Sequence, residues 1–411
     1  MEIVYKRCSG LDVHKETVAA CVMIRDGEKG QKEIRTFRTM TSDLLVLHDW
    51  LLAHGVTHVA MESTGVYWKP IFNLLEGSFE VLLVNASHIK VVPGKKTDIK
   101  DCEWIADLLA HGLLKGSFIP PQPIRDLRDL TRYRKSLSDE RTREINRLQK
   151  LLETANIKLS SVATDVMGVS GKAMLEAILS GSTDPAVLAD LAKGRLRNKL
   201  SLLKEALQGR FRSHHRFLMG QILSHLDFLD EAIEEMSKEV EKRLAPFFQE
   251  IELLKTIPGV KQRMAEVILA EIGVDMSHFP THRHLASWAG LCPGNNESAG
   301  KRKSGKTRKG DRWLKRGLTE SSWAVSRAKE TYLSALYHRI VRRRGKRKAT
   351  VAVAHAITVI AYHILKHKVP YKELGADYFD RLNVSYVKHH FTKRLEALGY
   401  KVTLEPLHAA A

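Results

Sequence analysis

Gly10-Leu11-Asp12-Val13-His14-Lys15, followed at once by the apolar run 18–24, decides how the first part of the chain is read. Residues 18–24 are rich in β-branched side chains, and residues 33–37 alternate. Residues 56–61 and 81–84 are further apolar runs of strand length. Asp12 therefore falls on the first of several strands. Between the strands, residues 42–53 carry Leu44, Leu45, Leu47, Leu51 and Leu52 at helical spacing, with Thr41 or Ser42 as the expected N-cap. The order is three strands, a helix, a strand, a short helix, a strand and a helix. Short turns such as 25–30 join the first three strands, and helices separate the later ones. That order predicts an α/β domain over residues 1–118, a mixed sheet with helices packed on it.

Two more acidic motifs belong to the same region. Met61-Glu62-Ser63-Thr64-Gly65 places a carboxylate at the end of the fourth strand, and Lys96-Thr97-Asp98-Ile99-Lys100-Asp101 places two at the start of a helix. Asp98 and Asp101 are three apart and share one helix face. Acids in a first turn also suit the helix dipole by themselves, with Thr97 as N-cap, and Glu62 alone reads equally as a polar strand end. Together the motifs say more. If the strands of Asp12 and Glu62 are neighbours, their carboxylates meet at one sheet end, and the helix opening at Asp98 closes the cluster. Packed carboxylates repel and need a cation, and hard oxygen donors favour Mg²⁺ or Mn²⁺. Two such ions can clamp the attacking and leaving oxygens of a phosphodiester. Lys95, Lys96 and Lys100 flank the cluster and can hold a nucleic-acid backbone.

Composition points to the same kind of partner. The 411 residues predict two or three domains, and 66 Lys/Arg against 47 Asp/Glu give a net charge of +19. Residues 299–350 hold 18 Lys/Arg and 3 Asp/Glu, +15 of that total. A solvated helix face mixes signs, whereas Arg342-Arg343-Arg344 and Lys346-Arg347-Lys348 do not, so phosphate contact explains them better than solubility. A hydrophobic content of 44% excludes a mainly disordered basic tail protein. No run of about 18 apolar residues suggests a membrane span, and the first nine residues lack an apolar signal core, so the expected location is cytoplasmic or nucleoid-associated. The four cysteines show no CxxC spacing, which argues against a disulfide framework or a zinc site. No GxxxxGK[ST] loop is present.

The remaining chain is expected to be mainly helical. Residues 125–152 and most of 199–255 carry apolar residues at helical intervals among charges, as a coiled-coil-like region over 119–252 would. Dimerisation or spacing is its expected role, with nucleic-acid contact through its Arg residues as the alternative. In the third region, 253–370, Pro258-Gly259-Val260 between two short helices resembles a helix–hairpin–helix turn, whose backbone N–H groups can face a phosphate. A Gly-, Asn- and Lys-rich loop follows at 293–311, then helical patterns at 313–329 and 350–366; the tail, 371–411, is uninformative. Within the loop, Ser298 precedes small residues, and Lys301, Arg302 and Lys303 can stabilise charge on a phosphoryl group. Lys306, Arg308, Lys309 and Arg312 extend the basic run. A serine hydroxyl needs activation before attack, and Ser304 sits in a similar local pattern.

The three acidic motifs resemble the DEDD signature of IS110-family transposases, the bridge-RNA-guided recombinases related to Piv-type DNA invertases. The resemblance implies a RuvC-like, RNase H-type fold for the N-terminal domain, with Asp12, Glu62, Asp98 and Asp101 as its four metal-holding acids. Ser298-Ala299-Gly300-Lys301 resembles the family's second motif, which implies Ser298 as nucleophile in a C-terminal transposase domain. Gly310-Asp311-Arg312 matches a further landmark, structural or DNA-facing. The family also implies a 5′-phosphoserine intermediate, Mg²⁺, donor and target duplex DNA, a structured non-coding guide RNA, and a homodimer or homotetramer. A metal-dependent junction nuclease with Ser298 idle and a non-catalytic nucleic-acid-binding protein are the alternatives. An actin-like ATPase would need paired glycine-rich phosphate loops that the sequence lacks.

Overall fold

The structure, a computed structural model, describes residues 2–25, 30–63, 65–85, 101–294 and 296–405. The chain divides into two compact units, residues 1–119 and 120–411.

In the first unit, β1 (Arg7–Val13), β2 (Thr17–Ile24) and β3 (Gln31–Arg38) form an antiparallel meander. β4 (His58–Glu62) and β5 (Glu80–Val84) continue in parallel from the other side of β1, giving the order β3-β2-β1-β4-β5. Side chains alternate between the two faces of a strand. One face, with Leu11, Val13, Val59 and Met61, packs with α1 (Thr41–Ala53) and α2 (Trp68–Leu75). The other, with Cys8, Cys21, Ala60 and Val84, packs under α3 (Asp101–Ala110). Helices on both faces explain why the central strands read as continuous apolar runs. Two boundaries differ from expectation. β4 starts at His58 and ends on Glu62 itself. The N-cap of α1 is Met40, whose side chain makes no capping bond, so Thr41 is the first helical residue and Asp43 complements the dipole.

The second unit is built on α4 (Gln122–Thr154), which runs antiparallel to α5 (Ser213–Leu244): Asp126 meets Arg243, Arg141 meets Asp230 and Thr154 meets His215. The expected long helix over 199–255 is three helices, Leu200–Ala206, α5, and α6 (Phe248–Lys255). The chain breaks near Gly209, where a Cβ would fall 2.5 Å from the Ala155 carbonyl oxygen, and again in a 3₁₀ turn holding Pro246. Helices Val169–Leu179 and Pro185–Asp190 fill the segment between α4 and α5, closing a core with Leu148, Met174, Leu203 and Met219.

Next come α7 (Gln262–Ile272), α8 (His282–Trp288), a hairpin of β6 (Asn296–Ser298) and β7 (Lys301–Ser304), α9 (Arg312–Val325), α10 (Tyr332–Arg344), α11 (Lys346–His367) and α12 (Val384–Glu396). By length and composition α11 could cross a membrane. Here Val353, Ile357, Ala361 and Leu365 bury it against α8, α9 and α10.

Candidate active site and nucleic-acid interface

Strand register brings the first two acids together. Parallel β1 and β4 pair Gly10 with Ala60 and Leu11 with Met61; the next positions are Asp12 and Glu62. Residues at equal register on neighbouring strands share a face about 4.8 Å apart, so the two carboxylates stand side by side. Both have the parity of Cys8, Ala60 and Val84, the residues that face α3. That helix runs antiparallel to β1: its last residue, Ala110, accepts hydrogen bonds from the Val4 and Tyr5 N–H groups at 2.8 and 3.1 Å. Its first turns cross Gly10, where a Cβ would lie 2.3 Å from the Cys102 carbonyl oxygen and 2.4 Å from the Ala106 nitrogen. Only glycine permits this approach, and it carries Asp101, the first residue of α3, toward the Asp12–Glu62 end of the sheet.

Asp12 is 24% exposed at its side chain, and its Oδ2 lies 3.0 Å from His14 Nε2, a partner to which the sequence reading assigned no role. Asp98, Lys95, Lys96 and Lys100 lie outside the described residues. Among the described residues no group of three or more His, Cys, Asp or Glu is assembled to hold a metal ion. The adjacent pair Asp12 and Glu62 is nonetheless a hard-oxygen donor set of the kind Mg²⁺ takes. Beneath it, burial pushes the Cys8 and Cys21 thiols up to about 12, which makes them packing groups and not nucleophiles.

The serine motif lies in the second unit, on the β6–β7 hairpin. Ser298 pairs with Lys301, and the two residues between them, Ala299 (φ 50°) and Gly300 (φ 71°), both have positive φ, as a type I′ hairpin turn requires. Ser298 is thus the last strand residue before the tip. Ser304 pairs with Asn296 at the other end, and its Oγ accepts the Lys306 N–H at 3.2 Å, so the two serines occupy different settings. The base of the loop is clamped. Gly290 (φ 69°) and Gly310 touch backbone to backbone: a Cβ on Gly310 would lie 2.2 Å from the Gly290 nitrogen. Lys315, its pKa lowered by burial, donates to the Gly290 carbonyl and the Thr307 hydroxyl, both at 2.8 Å. Asp311 caps α9 by accepting the Leu314 N–H at 2.7 Å, a structural role for that residue of the landmark. Lys301, Lys306, Arg308, Lys309 and Arg312 are exposed; Arg302 and Lys303 lie along β7. The Pro258-Gly259-Val260 turn does join two helices, but Gly259 (φ 83°) is required by packing: a Cβ there would lie 2.3 Å from Val325 Cγ2 on α9.

Three arginines of α4 that the sequence offered to nucleic acid are used inside the chain. Arg134 pairs with Glu266 at 2.5 Å, both 5% exposed. Arg132 forks onto Glu271 at 2.8 and 2.7 Å and also reaches Asp311 at 2.9 Å. Arg128 donates to the Glu271 carbonyl oxygen at 2.6 Å. Burial raises the pKa of the Glu271 carboxyl, against the opposing pull of Arg132 and Arg128. The same network ties the cap of α9, and through it the hairpin base, to the long helix. The partners are more than 130 residues apart in sequence, so no local pattern signals them.

Comparison with known proteins covers both sites. The DEDD transposase model of IS110 type matches residues 9–157, which include Asp12, Glu62 and Asp101. The transposase model of the IS116/IS110/IS902 family matches residues 251–338, which include the Ser298 hairpin. An uncharacterized 43.6 kDa protein of insertion element IS110 from Streptomyces coelicolor is 29% identical over 286 residues, 62% of this chain and 66% of its own length. An uncharacterized 44.8 kDa protein of insertion element IS116 from Streptomyces clavuligerus is 25% identical over 271 residues, 57% of this chain and 65% of its own length. The matches thus span just under two thirds of either relative. Since the carboxylate unit and the serine hairpin each match the same family, the chain belongs to the IS110 family of transposases.

Proposed function

We propose that the protein is a DNA transposase that works as a site-specific recombinase, with a carboxylate half-site on residues 1–118 and a serine half-site on residues 253–370. The observation that carries this reading is the β1–β4 register that stands Asp12 beside Glu62, at the sheet end approached by the first turn of α3. The order β3-β2-β1-β4-β5, three antiparallel strands followed by two parallel ones, supports a RuvC-like, RNase H-type domain. Asp12, Glu62, Asp101 and Asp98 would hold Mg²⁺ or Mn²⁺, which when bound neutralises charge on a phosphodiester oxygen.

Ser298 then acts as nucleophile. Its Oγ bonds to phosphorus as the bond to the 3′ oxygen breaks, and the serine proton is balanced by the proton taken up on the released 3′-hydroxyl. The 5′ phosphate stays on the serine, so the phosphodiester energy is conserved and strands can be exchanged without nucleotide hydrolysis. Lys301 and the neighbouring hairpin cations offset charge on the attacked phosphate. The two half-sites must meet within one chain or between the protomers of a dimer or tetramer, with residues 119–252 as spacer and oligomerisation surface. The exposed cations also suit a structured guide RNA, whose pairing with donor and target DNA would supply sequence choice while the protein holds backbone.

Covalent trapping tests the proposal. The protein is incubated with a labelled fragment of its element's end, Mg²⁺ and RNA transcribed from the flanking non-coding region, then run on denaturing gels. A protein–DNA adduct lost in both Ser298→Ala and Asp12→Ala is the expected result. Cleavage without an adduct that survives Ser298→Ala would leave a metal-dependent nuclease and remove the serine step. Adduct formation that needs no RNA would remove the guide.

A further inference from the structure

We propose that a groove between α10 and the C-terminal helices binds unpaired nucleotides of a single nucleic-acid strand. The cavity is about 720 Å³, and one wall presents Arg339, Arg342 and Arg343 while the other presents Phe379, Tyr386 and His390. Asp380 is the one carboxylate among its described lining residues. Arg342 and Arg343 have no ion-pair partner among the described residues. Their place in the last turn of α10 suits the helix dipole, but the dipole does not account for aromatic rings set opposite them. Arg339 lies 4.8 Å over the Phe379 ring, which orients its guanidinium across the groove. Tyr386 and His390, one helical turn apart on α12, stack 5.9 Å apart with planes only 11° from parallel, and Tyr386 is 57% exposed.

Cations on one wall and the exposed Tyr386 and His390 rings on the other are the two elements that hold a single strand, phosphates on the first and bases stacked on the second. A duplex hides its base faces and would leave the rings idle. An apolar patch from a second copy would bury the Arg342 and Arg343 guanidiniums without an ion-pair partner. The arginines and rings on which the groove depends, from Arg339 onward, lie beyond residue 338, where the family match ends, and the proposal rests on the groove itself and not on the strand-transfer chemistry.

Fluorescence anisotropy on the full chain tests it, with labelled mixed-sequence oligomers of about 12 nucleotides. Single-stranded DNA, single-stranded RNA and duplex DNA are compared over a range of salt. Tyr386→Ala is expected to weaken single-strand binding about 10-fold and leave duplex binding unchanged, whereas Tyr386→Phe keeps the ring and the affinity. Arg342→Ala with Arg343→Ala is expected to reduce the salt slope on single strands by about 1.4, roughly 0.7 for each lost phosphate contact. The DNA and RNA arms show which backbone the groove prefers. Unchanged single-strand affinity in Tyr386→Ala overturns the proposal, as does an equal loss on duplex. A changed sedimentation mass with unchanged nucleotide affinity assigns the groove to a second copy and also overturns it. Failure of the transposase reading through Asp12→Ala and Ser298→Ala leaves these affinities untouched, so the two readings fail separately.

Discussion

Gly10→Ala is a single methyl placed under the candidate carboxylate site. That Cβ would lie 2.3 Å from the Cys102 carbonyl oxygen, 2.4 Å from the Ala106 nitrogen and 3.0 Å from the Ala106 Cα. Ordinary contact begins near 3.4 Å, so α3 must withdraw by about 1 Å. The obstructing atoms are backbone, and no rotamer change relieves them. Overpacking of this kind costs about 1–3 kcal/mol, and rigid helix backbone places Gly10→Ala at the upper end. For a unit of this size that is roughly 10 °C in melting temperature. The same displacement moves Asp101 away from Asp12 and Glu62, and an error of about 1 Å at a reacting centre costs on the order of 100-fold in rate. Urea denaturation followed by circular dichroism reads the stability, and yield of the trapped protein–DNA adduct reads the site. Ala106→Gly added to Gly10→Ala should not rescue either, because the nitrogen and Cα remain. A stability loss under about 0.5 kcal/mol, with adduct yield unchanged, would refute the argument that close helix approach positions the site.

Three further expectations follow from the second unit. Glu266→Gln leaves Arg134 charged and buried, and should cost about 3–5 kcal/mol in urea titrations, whereas Arg134→Met with Glu266→Leu should recover most of it; equal losses would show that the pair's charge is not what matters. Ala299→Gly removes a side chain from a positive-φ turn position and should stabilise the hairpin by about 1 kcal/mol, read as slower proteolysis within 293–311, while Ala299→Val should accelerate it. Asp139 is partly buried, which raises its pKa, but the Arg316 fork at 2.6 and 2.8 Å and Lys135 outweigh this and hold the carboxyl below its ordinary 3.8. A carboxyl lowered on folding stabilises above its unfolded pKa and loses that contribution as pH falls through the native value. The stability gap between wild type and Asp139→Asn should therefore shrink on acidification below about pH 4; a gap constant with pH would exclude the ion pair as its source.

Much of the first unit was legible because its signals are local. Apolar runs marked the strands, Leu spacing marked α1, and three motifs put acids at strand and helix ends. Errors arose where contacts decided. Residues 199–255 read as one long helical stretch because periodicity does not register the approach of Gly209 to Ala155 or the kink at Pro246. The Ser298 loop read as irregular because a hairpin of three- and four-residue strands is too short for alternation to show. The tail gave no expectation, yet it carries the ring-bearing wall of the groove opposite α10.

The sequence by itself determined the α/β character of residues 1–118, the placing of Asp12 and Glu62 at strand ends, the helical middle and the +15 basic segment, since periodicity and charge are properties of neighbours along the chain. Tertiary structure alone decided that β4 lies parallel to β1 in the register that sets Glu62 beside Asp12, and that Gly10 admits α3 above them. It likewise turned Arg128, Arg132 and Arg134 inward onto α7. Strand partner, helix approach and ion-pair choice depend on groups tens to more than a hundred residues apart, which meet only when burial of the shared core brings them into contact.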